Sequence, residues 1–370
     1  DMEKAKQECE LWAQDYPRLD MPHDFLAGII YPDFGQYERA IEHAAQAIRL
    51  SPNFPIPYTI LMGNYAYVCR LSEAQEVYRR ALERKLENPF FHIILYQMAF
   101  LQRDAAGMAR QVAWAADKPG VEDEFLAMEA DTAAYSGRLA QARDLSRRAM
   151  ESAERGQEVE TVATYSATSG LREALFGNAD EARRRSALAL KGTVGQDALF
   201  AAALALAYSG DEAGAKKLPA EMARKYHENT LTQLNYLPVL RAKLALKKGS
   251  ASEAIGILKS AAPFEFGMPT SIVLNCTALY PIFVRGEAYL VAHQGNPAAA
   301  EFQKILDHRG IVINQPLGAL ARLGLGRAYA LAGDTVKARA AYQDFLTLWK
   351  EADADVPVLK QAKTEFAHLK

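Results

Sequence analysis

Small and apolar residues return at helical spacing along almost the whole chain. A glycine followed five residues later by an alanine recurs at Gly35–Ala40, Gly137–Ala142, Gly177–Ala182, Gly210–Ala215, Gly249–Ala254, Gly295–Ala300 and Gly333–Ala338. Ala74 and Met108 fill the interval between Ala40 and Ala142 at steps of 34 residues, and the later steps are 40, 33, 39, 46 and 38. Each unit predicts two helices joined at the glycine. Gly28, Gly326, Ala40 and Ala338 let the helices approach, and Tyr and Leu at helical spacing fill the space between units. Local chemistry points the same way: Asn296-Pro297 reads as an N-cap with proline at the first helical position. Ser250…Glu253 and Asn178…Glu181 have capping-box spacing. At the C-terminus Val356, Leu359, Ala362, Phe366 and Leu369 share one helical face and predict a capping helix.

A 34-residue period is that of the tetratricopeptide repeat, two antiparallel helices per unit. The stretch "RLGLGRAYALAGDTVKARAAYQDFL" carries Leu325-Gly326, Tyr329, Gly333, Ala338, Tyr342 and Phe345 in the register of that motif. Gly28, Tyr31, Gly35, Tyr37, Ala40, Ala44, Ala47, Ile48 and Pro52 do the same in the first full copy. The chain therefore resembles tetratricopeptide proteins over nearly its full length. The resemblance implies an all-α, right-handed superhelix of about nine repeats plus a capping helix. The expected layout is a single solenoid. It runs from a partial repeat at 1–17 (Ala5, Cys9, Trp12, Ala13, Pro17), through nine repeats with insertions at 18–348, to a cap at 349–370. The half repeat and the initial Asp1 suggest excision from a longer chain. The main insertion, Ala262–Pro281, reads as a loop entering the next helix near Ser271, either functional or packed on the solenoid.

Composition adds constraints. Of 370 residues 50% are hydrophobic and 24% charged, enough for a continuous core, and the net charge of −2 speaks against nucleic acid. Cys9, Cys69 and Cys276 are far apart and odd in number, which predicts buried thiols rather than disulfides or a metal site. The longest apolar run, Ala198–Tyr208, falls short of the ~18–20 residues of a membrane helix.

Candidate chemistry is sparse. Asp33-Phe34-Gly35 is the magnesium-binding triplet of protein kinases, but no GxGxxG loop or Val-Ala-x-Lys strand precedes it. Its glycine belongs to the repeat series, so the triplet reads as an interhelical turn. Asp307-His308-Arg309 is either a proton-transfer cluster or, as the last-turn His and Arg favour, a polar helix end. No GxSxG, HExxH, GxxxxGK[ST] or paired CxxC occurs, and Glu42-His43 is adjacent and shares no face. No catalytic, cofactor or metal residue is assigned.

The repeat resemblance implies a concave groove built by the first helix of each unit. Positions eleven before each repeat alanine are Ile29, Gly63, Gln97, Asp131, Leu171, Leu204, Lys243, Tyr289 and Arg327. Positions fifteen before include Phe25, Thr59, Phe200, Val239 and Arg285. The Lys and Asn that clamp a C-terminal carboxylate in some relatives are absent at Phe25, Ile29, Thr59 and Gly63. Lys243, Lys247, Arg285 and Arg327 gather late, with Tyr236 and Tyr289 among them, and predict a site for an acidic or carboxylate-bearing peptide. The tail from Ala298, with "ELWAQDYPRLDMPHDFLA" at the other end, resembles the C-terminal repeat region of bacterial membrane-anchored serine/threonine kinases or winged-helix regulators. That implies a non-catalytic sensor or interaction module, outside the cytoplasmic membrane or else cytoplasmic. The alternatives are a small-ligand sensor with a pocket inside the superhelix and an uncharacterised enzyme.

Overall fold

The computed structural model describes residues 1–192, 194–268 and 279–369. Among them the chain is all-α. After the helix Met2–Asp15 come nine helix pairs. The first joins Met21–Asp33, interrupted by a π-helical turn at Leu26–Ile30, to Tyr37–Leu50. The next four are Pro55–Tyr67 with Leu71–Glu83, Pro89–Gln102 with Ala105–Ala115, Glu122–Tyr135 with Leu139–Arg155, and Val159–Leu175 with Ala179–Ala189. Gln196–Tyr208 pairs with Glu212–Lys225, and Thr232–Lys247, which opens on a second π-helical turn, pairs with Ala251–Leu258. Tyr280–Val291 with Gly295–Asp307 and Pro316–Leu331 with Thr335–Leu348 complete the series before a last helix, Pro357–Ala367. Stacked in chain order, the pairs form a tetratricopeptide-type superhelix. Among the described residues no helix is long and apolar enough to cross a membrane.

The pairs share one turn geometry. The residue five before the repeat position is left-handed in all nine. It is glycine in six pairs (φ +66° at Gly35, +74° at Gly137) and Cys69, Arg103 and His293 in the others. Glycine adopts that conformation without strain, which explains its recurrence. The eighth pair departs from the expected register. His293, φ +55°, makes the turn, and Ala298 is buried while Ala300 is exposed. Gly295 instead lets two helices touch, since a Cβ there would lie 2.5 Å from the Ala332 nitrogen. Asn296-Pro297 consequently sits inside the first turn of Gly295–Asp307, whose N-cap is Gln294. Ser250 and Asn178 occupy N-caps without a capping hydrogen bond. Asn178 donates to Glu173 instead (3.0 Å), and side-chain caps come from Asp1, Asn88, Asp104, Asp211 and Asp334. Cys69 is exposed because it stands where other pairs carry the turn glycine, Cys9 is half-buried, and Cys276 lies outside the described residues.

The superhelix is wound tightly enough for successive turns to touch. Hydrogen bonds link residues 182 to 229 apart in sequence: Tyr37 Oη to the Phe266 carbonyl (2.9 Å), Arg309 to the Leu101 carbonyl (2.9 Å), Asn314 to Met128 O and Thr132 Oγ1, and Trp349 Nε1 to the Tyr135 carbonyl (3.0 Å). One superhelical turn thus spans about six 34-residue units. The Asp33–Gly35 turn is one of the docking points. Phe34 packs on Phe264 with ring centroids 5.0 Å apart, and Met268 N donates to the Pro32 carbonyl (2.9 Å). The first part of the 262–281 insertion is therefore packed on the solenoid. The expected helix start at Ser271 lies outside the described residues. Gly310 plays a similar part, seated against the Tyr67 carbonyl where a Cβ would come within 2.2 Å. His308 stacks on Phe266 at 4.2 Å. Asp307-His308-Arg309 is thus the end of a helix clamped between turns. The last helix buries Leu359 and Ala362 and also meets the earlier turn, Val358 N donating to the Phe176 carbonyl (3.2 Å).

Candidate functional site

Of the late basic and aromatic residues, Arg285 and Tyr236 are buried rather than open to a groove. Arg285 is 7% exposed and points between the two helices of its pair, held by Glu301 (2.5 Å) and Glu265 (2.9 Å). The two-residue register difference at His293 accounts for this, because fifteen before Ala298 is Phe283, not Arg285. Tyr236 is fully buried, stacked 4.0 Å from Phe200 with its hydroxyl on Asp197 (2.7 Å). Lys243 lies over the Tyr208 ring and pairs with Glu287 (3.0 Å), and Lys247 contacts the Gly210 carbonyl (3.1 Å) and Glu212 (3.3 Å). Arg327 binds Glu365 (2.9 Å), and Tyr289 is half-buried. Each of these four cations already pairs with an internal carboxylate, and for buried Arg285 displacing it would be costly because of the glutamates left behind.

The middle of the concave face is filled as well. Gln97, Leu171 and Leu204 are buried, and Asp131 pairs with the buried Arg172 (3.1 Å). The segment from Arg309 to Arg322 crosses the third and fourth pairs, its side chains bonded to Leu101, Met128, Thr132 and Tyr135.

Among the described residues, the first three pairs carry exposed apolar side chains on this face. Met21, Phe25 and Ile29 form an exposed apolar stripe at four-residue intervals, continued by Phe90. Behind it lies a pocket of about 150 Å³ walled by Gly28, Ile56, Ile60, Asn64, Phe90 and Met268. Gly28 sits in the π-helical turn, and a Cβ there would be 2.9 Å from Ile60 Cδ1. Such turns recur at functional sites because they re-aim a helix face. Asn64 is 2% exposed, and its amide nitrogen donates to the carbonyls of Ala27 (3.1 Å) and Ile60 (2.9 Å). Those two bonds set the amide orientation and leave Oδ1 buried without a hydrogen-bond partner. Asp24, four residues before Gly28, likewise has a buried Oδ1 without a partner. Burial, and then the charge of Asp20, pushes its carboxyl up to about 7.

A second cavity of about 610 Å³ opens between superhelical turns, bordered by Tyr37, Arg39, Tyr67, Cys69, Phe266 and His308. Among the described residues no cluster of three or more His, Cys, Asp or Glu could hold a metal ion.

No protein-family model and no curated protein sequence matches the chain. Solved structures with related helix arrangements include yeast Tom70, 11% identical over 99% of this chain and 91% of that one, TM-score 0.30. The tetratricopeptide domain of P58(IPK) is 11% identical over 100% and 93%, TM-score 0.26. Naa15/Naa10 bound to HypK-THB is 16% identical over 99% and 63%, TM-score 0.27. These likenesses are too loose to transfer a ligand, and the assignment of the fold rests on the nine helix pairs and their common turn.

Sequence spacing overlooked Asn64 and Asp24. One signal was available: Asn64 is the lone amide in the apolar run Ile60–Val68.

Proposed function

We propose that the chain is a non-catalytic scaffold that holds a partner protein or peptide in the groove of its first three helix pairs. The observation that carries this reading is the exposed apolar stripe of Met21, Phe25 and Ile29 beside an apolar pocket in the same pairs. The exposed Phe25, Ile29 and Phe90 supply the apolar anchors that concentrate binding energy at interfaces. The test is site-specific photocrosslinking in the native host, with the probe at Ile29 and, as control, at the exposed Val336 of the ninth pair. Discrete protein adducts at Ile29 alone are expected. Equal adducts at both positions, or none at Ile29, overturn the proposal.

The finer role we propose is the interaction module of a larger bacterial signalling protein, supported by the resemblance of the tail and opening segments to kinase- or winged-helix-linked repeat regions. A membrane helix and an effector domain encoded upstream of Asp1 would bear this out, and an upstream frame holding neither removes it. The cavity between turns supports a second reading, a small-ligand sensor. Its test is a thermal-shift screen of metabolites in which His308→Leu abolishes any hit.

A further inference from the structure

The seam between superhelical turns has two unlike sides. One is the turn edge, where the two helices of a pair meet. Gly35, Gly137 and Gly177 lie on it, and a Cβ there would come within 3.1 Å of Phe266, 2.5 Å of Ala352 and 3.0 Å of Pro357. The other is the loop edge, which joins one pair to the next and carries those three residues. The turn edge runs on past the seam through the last four pairs. Gly210, Gly249 and Gly333 make the same left-handed turn, with φ of +81°, +79° and +79°. Among the described residues, a Cβ on any of them would meet nothing within 4 Å.

Exposure divides in the same way. Two residues before the turn, Tyr67 and Leu101 are 6% and 8% exposed, with Gly310 and Arg309 against their carbonyls. Val291 and Leu331 hold that position in the eighth and ninth pairs and are 50% and 38% exposed. The loop edge of the early pairs presents the apolar Phe54 and Val159 to solvent, where loops inside the seam use Phe266 and Trp349.

We propose that the free turn edge of the eighth and ninth pairs docks the free loop edge of a second copy of this chain, repeating between molecules the seam made within one. The occupant follows from continuity: the structure seats a loop edge of this chain on its turn edge, and a second copy offers another. The hydrogen bonding can repeat as well. Within the seam Arg309 and Trp349 donate to the carbonyls of Leu101 and Tyr135, each two residues before a turn. The last carbonyls of a helix have no intrahelical partner. In the ninth pair the turn's own N–H groups engage Ala330 and Tyr329, so Leu331 brings the corresponding acceptor to the free edge. Turn edge against loop edge is a heterologous contact, and each docked copy keeps one edge free, so growth is open-ended.

The test is sedimentation velocity of the intact chain over a range of concentrations, beside two double variants changed only at exposed positions. Val291→Glu/Leu331→Glu charges the turn edge and Phe54→Glu/Val159→Glu the loop edge, since burying an unpaired carboxylate opposes docking. The wild type is expected to grow with concentration through dimers to longer species. Each variant alone should associate at least about tenfold more weakly, because all its copies lack the same edge. Mixed in equal amounts, the two should form dimers and nothing longer, each supplying the edge the other lacks; this rescue also shows that both are folded. A wild type that stays monomeric, a variant that associates as the wild type does, or a mixture that stays monomeric would overturn the proposal.

Discussion

Nδ1 of His23 lies 2.8 Å from Nδ1 of His43, joining the two helices of the first pair. One ring must donate and the other accept, so the bond exists only while at least one imidazole is neutral. Burial, then the charges of His23 and Arg39, lowers the His43 pKa to about 4, and burial lowers His23 as well. A depressed histidine pKa means the unfolded chain takes the proton first. Stability from this site is complete above about 6.5 and is lost as pH falls toward 4, by about 1–3 kcal/mol for a half-buried group. Urea titrations at pH 7.5 and 4.5 should find His43→Gln gaining on the wild type at the lower pH. A constant difference between the two proteins would refute this.

Asp33 behaves in the opposite sense. Burial raises its carboxyl to about 7, so the folded chain keeps a proton that the unfolded chain has released, and stability falls as pH rises from about 4 to 7. Asp33→Asn should therefore stabilise, and by about 2 kcal/mol more at pH 8 than at pH 5. Chemical denaturation at the two pH values checks it.

The register of the eighth pair separates two neighbouring alanines. Ala298 is fully buried, and Ala300 faces solvent. Ala298→Leu should cost about 1–3 kcal/mol by overpacking, while Ala300→Leu should stay within about 0.5 kcal/mol of the wild type. The reverse order in thermal melts would restore the Gly295–Ala300 register.

Gly137 carries φ +74°, and a Cβ there would lie 2.5 Å from Ala352 Cβ and 2.7 Å from the Trp349 ring. Gly137→Ala should destabilise by about 1–3 kcal/mol, through both backbone strain and the lost seat of Trp349. The Trp349 indole N–H bonds to the Tyr135 carbonyl (3.0 Å), so its hydrogen exchange should accelerate in the variant. Unchanged indole protection would argue against this contact.

Helix pairing was legible from residue spacing because it is local. Gly35, Gly137 and Gly333 mark turns that only a left-handed residue can make, and the alanines five positions later mark the close approach. Spacing failed where another residue accepted the strained conformation. At His293 nothing in the residue type advertised φ +55°, while Gly295, conserving space rather than conformation, looked like the turn. That slip of two residues carried Arg285 from the interior into an imagined groove. The filling of the concave face was illegible for a different reason. Asn314 reaches Met128 across 186 positions, and the winding that unites them is the sum of many small rotations between pairs. The apolar pocket depended on the same geometry. Asn64 is conspicuous as a polar residue in an apolar run, but only the fold tells which of its atoms lacks a partner.

The contact of Trp349 with Gly137 alters how the chain should come apart. An open array of repeats unravels from its ends, each unit answering only to the next, so its stability is a sum of neighbouring terms. Here the fourth and ninth pairs are bolted together, the first is bolted to the seventh, and the terminal helix is bolted to the fifth. Fraying at either end must break a seam some two hundred residues away in sequence, so loosening at one place is transmitted along the whole coil. Such a molecule melts as a single cooperative body, and a ligand that tightens the first pairs also stiffens the last.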